Sequence, residues 1–161
     1  MRVAAIYDVH GNLPALEAVL ENVRQADVDQ VVVGGDVVPG PMPRETISTL
    51  MDIEVPVHFI HGNGESEILA VLAGGDPSAA VPEQFHEAMR WVAQDLLPEQ
   101  AQLLAEWPLT LRLEVLGMGE VLFCHATPRS DTEIFTLATP EEHLLPTPVS
   151  RPPSPRSISK A

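Results

Sequence analysis

The sequence predicts an α/β fold that opens on a parallel sheet and changes to antiparallel pairing in its second half. Two features carry the parallel part. Short apolar runs rich in β-branched residues alternate with segments of helical periodicity, and each run ends in a polar turn containing glycine. A third feature carries the antiparallel part: apolar runs flank Gly117-Met118-Gly119, which is a hairpin signal. The 161 residues suit one domain.

Residues 2–7 read as a buried strand, followed by the polar turn Asp8-Val9-His10-Gly11-Asn12. A helix is expected over 13–25, where Leu13, Leu16, Leu20 and Val23 fall at helical spacing. Asn12 can cap it, and Pro14 suits its first turn because no N–H is needed there. Val31-Val32-Val33 is a second buried strand that ends in Gly34-Gly35-Asp36. After a loop holding Pro39, Gly40, Pro41 and Pro43, a helix is expected over 44–53. Val57-His58-Phe59-Ile60 is a third strand, ending in Gly62-Asn63-Gly64-Glu65. A helix over 65–73 stops at Gly74-Gly75. This order of strands and helices implies right-handed crossovers in a parallel sheet. Residues 82–106 read as helical, and strands are expected over 109–115 and 120–124.

The domain is expected to cover residues 1–143. From 144 to 161 the composition changes: Pro146, Pro148, Pro152, Pro153 and Pro155 crowd among serines, and Arg151, Arg156 and Lys160 follow the last acidic residue, Glu142. Such a tail cannot pack a core and is expected to be disordered. The abrupt shift also suggests that the natural reading frame was lost near 142–145, or that the chain is a truncated product.

The net charge of −14 repels nucleic-acid phosphates, and the body of the chain has no basic patch, so no nucleic-acid partner is expected. No segment approaches the ~18 consecutive apolar residues of a membrane-spanning helix. The apolar N-terminal run is too short for a signal peptide. With one cysteine, Cys124, there is no internal disulfide, and a cytoplasmic location is expected.

Chemistry-bearing residues gather where ligands bind in open α/β sheets, at the C-terminal ends of strands. Asp8 and His10 follow the first strand, Asp36 the second, Asn63 the third, and His125 a later one. Two carboxylates, two imidazoles and an amide oxygen form a mixed oxygen and nitrogen set. That set suits Mn²⁺, Fe or Zn²⁺ better than Ca²⁺ or Mg²⁺. One carboxylate between two cations can bridge them, and two such cations can activate water and polarise a phosphoryl oxygen.

The blocks Asp8-Val9-His10, Gly35-Asp36-Val37-Val38-Pro39-Gly40 and Gly62-Asn63-Gly64-Glu65, with the isolated His125, resemble in order those of calcineurin-like metallophosphoesterases. The resemblance runs from residue 1 to about 135. It implies an α/β/β/α sandwich with two divalent metal ions at the strand ends and hydrolysis of phosphomonoesters or phosphodiesters. It further implies that Asp8 and His10 bind one ion, that Asn63 and His125 bind the other, and that Asp36 bridges. Asp36, Asn63 and His125 are thereby the catalytic set, acting on a small phosphorylated substrate.

Two departures stand out. The Gly-His-x-His block with which the family usually ends has no counterpart after His125, where His143 is the one further histidine. The second sheet is therefore expected to be incomplete, metal retention weak and activity poor. The position after Asn63, often a histidine in the family, is Gly64.

Other residues leave alternatives open. Arg129 is read either as a substrate-phosphate contact or as an ion-pair partner of Asp131 or Glu133. Cys124 is read as a small apolar residue rather than a nucleophile, since neighbours on a strand point to opposite faces. His58 and His61 are expected to be structural and His86 solvated. A reading of another class is a non-catalytic scaffold, because a retromer scaffold subunit shares this fold. An incomplete sheet would expose an edge such as Val121-Leu122-Phe123 to oligomerisation.

Overall fold

The computed structural model describes residues 1–144. Apart from its first residue, the expected tail lies outside the described residues. Three strands, β1 (Val3–Ile6), β2 (Gln30–Val33) and β3 (Val57–Phe59), form a parallel sheet in the order β1-β2-β3. Ala4 pairs with Val31 and Ile6 with Val33; on the other side Val33 pairs with Phe59. This register brings the C-terminal ends of all three strands level, with the end of β2 between the other two.

Between the strands run α1 (Leu13–Gln25) and α2 (Pro43–Met51); α3 (Asn63–Leu72) follows β3. The Asn12 side chain accepts from the Ala15 amide at 3.2 Å, so it caps α1 as its sequence position suggests. Helix α3 packs on α4 (His86–Asp95) and α5 (Pro98–Glu106), while a short 3₁₀ turn, Glu83–Phe85, leads into α4. The expected continuous helix over 82–106 is thus broken. Leu96 and Leu97 are extended, and Leu97, as the residue before Pro98, is driven out of the helical region.

One core joins the sheet to these helices. Val31 and Val33 are fully buried against Leu16, Leu20, Ile47, Leu50, Ile68, Val92 and Leu104. Val32 is also fully buried and, by strand alternation, faces the other way. A strand covered on both faces explains why β2 reads as an unbroken apolar run. Below the sheet edge, Phe59 stacks on Trp107 with ring centroids 4.7 Å apart.

Strands β4 (Thr110–Val115) and β5 (Gly119–Cys124) pair antiparallel as the expected hairpin. Gly117 and Gly119 take positive φ, which a tight hairpin turn requires. The two make a separate sheet that has no further strand among the described residues. A backbone bond from His61 N to Pro108 O at 2.9 Å ties the end of β3 to the entry of β4. The described residues end on a one-turn helix, α6 (Glu141–Leu144).

Candidate metal centre

The loops after β1 and β2 are laced together by their backbones. Asp8 N donates to Gly35 O, His10 N to Asp36 O at 2.9 Å and Gly11 N to Val37 O at 2.8 Å. Asp8, His10 and Asp36 all sit in left-handed conformations, with φ of 54, 48 and 53°. Non-glycine residues rarely adopt this region, and where they do the strain is commonly stored at functional sites. The curl turns all three side chains to one spot. An oxygen or nitrogen from each of Asp8, His10 and Asp36 lies within 4.8 Å of the others.

Asp36 stands at the centre. Only 5% exposed, it directs Oδ2 to His10 Nε2 and Oδ1 to His125 Nε2, each at 3.6 Å. His10 Nε2 is also 3.9 Å from Asp8 Oδ1. Oδ1 of Asp36 accepts the Gly64 amide at 2.7 Å. His125 follows β5 and is buried. Its Nδ1 lies 2.8 Å from the Gly34 carbonyl, and since a carbonyl only accepts, Nδ1 carries the proton. In the neutral ring this leaves the lone pair on Nε2, the atom that faces Asp36. An imidazole held by a carbonyl through one nitrogen, with the other free, is the usual arrangement of a metal-ligating histidine. Tyr7 lies alongside the ring, with centroids 6.4 Å apart.

The donor set fits divalent ions. Ligand atoms bound to one ion at about 2.0–2.2 Å lie about 3–4.4 Å apart, which spans the separations around Asp36. Asn63 opens α3 between Gly62 and Gly64, both of which press on Asp36. Its half-buried amide makes no side-chain hydrogen bond among the described residues. The structure therefore brings Asp8, His10, Asp36 and His125 together, with Asn63 beside them on the backbone. His143 is exposed on α6 and stands outside the group.

Glu65 has a larger part here than its place in the block suggested. Its fully buried carboxylate accepts four backbone N–H groups, from Asp36, Val37, Val38 and Gly62, at 2.8–3.0 Å. Burial pushes its carboxyl above the usual range, against the opposing pull of the Val38, Gly62 and Asp36 amides. The sequence signal was an acidic residue three positions after Gly62, the spacing at which a side chain reaches back to a helix cap.

The remaining residues settle outside the centre. Arg129 donates through Nε to Glu133 at 2.7 Å and also reaches the His143 carbonyl. The ion pair with Glu133, one of the two readings of Arg129, is formed. Those bonds from Arg129 and Thr127 hold the Glu133 carboxyl down at about 2. Burial raises the Cys124 thiol, which disfavours the thiolate a nucleophile needs. His58 bonds Gln30 at 2.9 Å. His86, expected to be solvated, is instead half-buried, with Nε2 2.8 Å from the Val81 carbonyl.

This chain matches the family model described as calcineurin-like phosphoesterase over residues 1–155. The chain belongs to the calcineurin-like phosphoesterase family. It is 27% identical over 129 residues to an uncharacterized protein of Methanocaldococcus jannaschii, covering 79% of this chain and 50% of that protein. Its fold is similar to that of a hypothetical protein of Pyrococcus horikoshii, with a TM-score of 0.72 and 23% identity over 88% of this chain and 62% of the other. A metallophosphoesterase from Sphaerobacter thermophilus is 31% identical, with a TM-score of 0.54, over 69% of this chain and 43% of that one. This chain thus spans about half the length of the curated relative it matches. The expected metallophosphoesterase-type fold is the one observed, and among the described residues the second sheet has two strands. Among the described residues, no helix is long and apolar enough to cross a membrane.

Proposed function

We propose that this chain binds two divalent metal ions, Mn, Fe or Zn, and hydrolyses phosphomonoesters or phosphodiesters. Family membership supports metal-dependent phosphoester hydrolysis as the class of reaction. The observation that carries the two-ion reading is Asp36, whose two carboxylate oxygens face two different imidazoles at 3.6 Å each. Asp8 and His10 would hold one ion, Asn63 and His125 the other, and Asp36 both. Bound there, the ions would polarise a phosphoryl oxygen and acidify an attacking water.

The chain's own residues prepare that chemistry. The Gly34 carbonyl fixes the His125 tautomer and aims Nε2 inward. The Gly64 amide orients Asp36 Oδ1. Exposed Asp8 and His10 leave one side of the centre open to a small phosphorylated substrate. Arg129 would serve a substrate phosphate only by exchanging Glu133 for phosphate oxygens, and the proposed reaction does not use it.

The test is hydrolysis of an aryl phosphate monoester and of a bis-aryl phosphate with added Mn²⁺. Metal-dependent turnover that Asp36→Asn lowers at least about 100-fold supports the reading, since replacing even an outer partner of a ligand costs roughly 10–100-fold. Turnover unchanged by chelator or by Asp36→Asn contradicts it. One observation favours a second reading, a non-catalytic scaffold that associates through the hairpin. Leu116 is 81% and Met118 75% exposed at the hairpin tip. A folded chain that binds no metal would select the scaffold.

A further inference from the structure

We propose that Glu65 is the positioning residue of this centre: its carboxylate, and not a bound ion, holds the Asp36 loop in the geometry that aims Asp36 at both imidazoles. The inference rests on the metal-binding reading above and adds to it the device that shapes the site.

The first ground is saturation. Each Glu65 oxygen accepts two N–H groups: Oε1 from Val37 and Val38, Oε2 from Asp36 and Gly62. The carboxylate has no cationic side-chain partner among the described residues. A buried charge so placed costs free energy unless it is fully hydrogen-bonded, and here backbone amides alone do that. The charge therefore serves the loop around it rather than a salt bridge.

The second ground is what the four amides belong to. Three are consecutive, from Asp36 to Val38, in a turn where Gly35 and Asp36 both take positive φ. Without an acceptor, these N–H groups would be buried and unpaired in a strained turn. The fourth belongs to Gly62, one residue before Asn63. Glu65 thus fixes the backbones of Asp36 and Asn63 relative to each other, although they lie on different loops. The packing leaves no slack. A Cβ on Gly62 would come within 2.3 Å of Asp36 Oδ1, and one on Gly35 within 2.6 Å of Gly62 N.

The experiment uses the full chain stripped of metal by chelator, then titrated with Zn²⁺ alone. Amide exchange is read at Asp36, Val37, Val38 and Gly62, and Zn²⁺ affinity by calorimetry. The four amides are expected to be protected before Zn²⁺ is added and to change by less than about threefold afterwards, because the clamp is already formed. Glu65→Gln keeps the shape but sets an NH₂ against N–H donors. It is expected to lose that protection and to weaken Zn²⁺ at least about tenfold. Leu104→Ala, which empties the core at a fully buried position on α5, lowers thermal stability and should leave Zn²⁺ affinity within about threefold.

Amides that gain protection only with Zn²⁺ would overturn the proposal, since the ion would then be shaping the loop. So would a folded Glu65→Gln that binds Zn²⁺ like the wild type, or a Leu104→Ala that loses as much affinity as Glu65→Gln. If Glu65→Gln does not fold, the wild-type exchange pattern decides. A wild-type chain that takes up no Zn²⁺ overturns the metal-binding reading and the positioning role with it; the other outcomes overturn the positioning role alone.

Discussion

Substituting alanine for Gly64 adds a single methyl group beside the Asp36 loop. An ideal Cβ there would lie 2.2 Å from the Val38 carbonyl oxygen and 3.0 Å from Asp36 Oδ1. A carbon and an oxygen rest comfortably at about 3.3 Å, so the Val38 carbonyl must retreat by about 1 Å. It cannot retreat alone, because the amides of Asp36, Val37 and Val38 are all held by Glu65. Either that clamp stretches or α3 moves away with Asn63. Crowding of this kind costs about 1–3 kcal/mol of stability. A displaced Asp36 carboxylate should lower Mn²⁺ affinity about 10–100-fold, or about 1.4–2.7 kcal/mol. Gly74→Ala is the matched control. Nothing lies within 4 Å of its added Cβ, but its φ of +90° strains any side chain. That strain is about 1–2 kcal/mol. Thermal melts and Mn²⁺ calorimetry on both variants separate the effects. The two should lose comparable stability, and only Gly64→Ala should lose metal affinity. Equal Mn²⁺ affinity in the two variants would refute the reasoning.

Further outcomes follow from the same contacts. Leu104→Ala, at a site with no exposure, should cost about 2–5 kcal/mol, visible as a lowered melting temperature. Metal at about 100 times its dissociation constant should stabilise the chain by about 2.7 kcal/mol, and chelator should reverse the gain. The depressed Glu133 carboxyl should titrate near 2 by carbon NMR, and Arg129→Ala should return it toward 4.5. Because its folded pKa lies below the unfolded one, the tie from Glu133 to Thr127 and Arg129 is whole above about 4.5 and is lost as pH falls through about 2.

The strand ends were legible because they are local. β-Branched runs stop at glycine-containing turns, and the ligand-type residues sit in those turns. Helix α1 begins and ends where its periodicity and Asn12 place it. Helix α3 begins at Asn63 rather than 65, because the Glu65 side chain satisfies the Gly62 amide from inside the helix. The break at Leu96 and Leu97 was hidden by apolar spacing that continues across it, although Pro98 was its signal. Within the centre, residue types could be read but not their convergence. The left-handed conformation falls on Asp8, His10 and Asp36 themselves as well as on the neighbouring Gly11 and Gly35, and it depends on backbone bonds between loops about 25 residues apart. The role of Glu65 was equally hidden, since its four donors come from two loops that meet only in the folded chain. For Arg129 the sequence allowed a substrate or a neighbour, and Glu133 four residues on is the partner it takes.

Whether Asp36 joins two metal sites is tested most directly by metal stoichiometry. Mn²⁺ titrated into the chelator-treated chain and followed by electron paramagnetic resonance should load two ions per chain, with the spin coupling of a pair that shares one carboxylate. Asp36→Asn should abolish that coupling and leave at most one weakly held ion. Uptake of no Mn²⁺ by the folded chain, or a coupled pair that survives Asp36→Asn, would contradict the account.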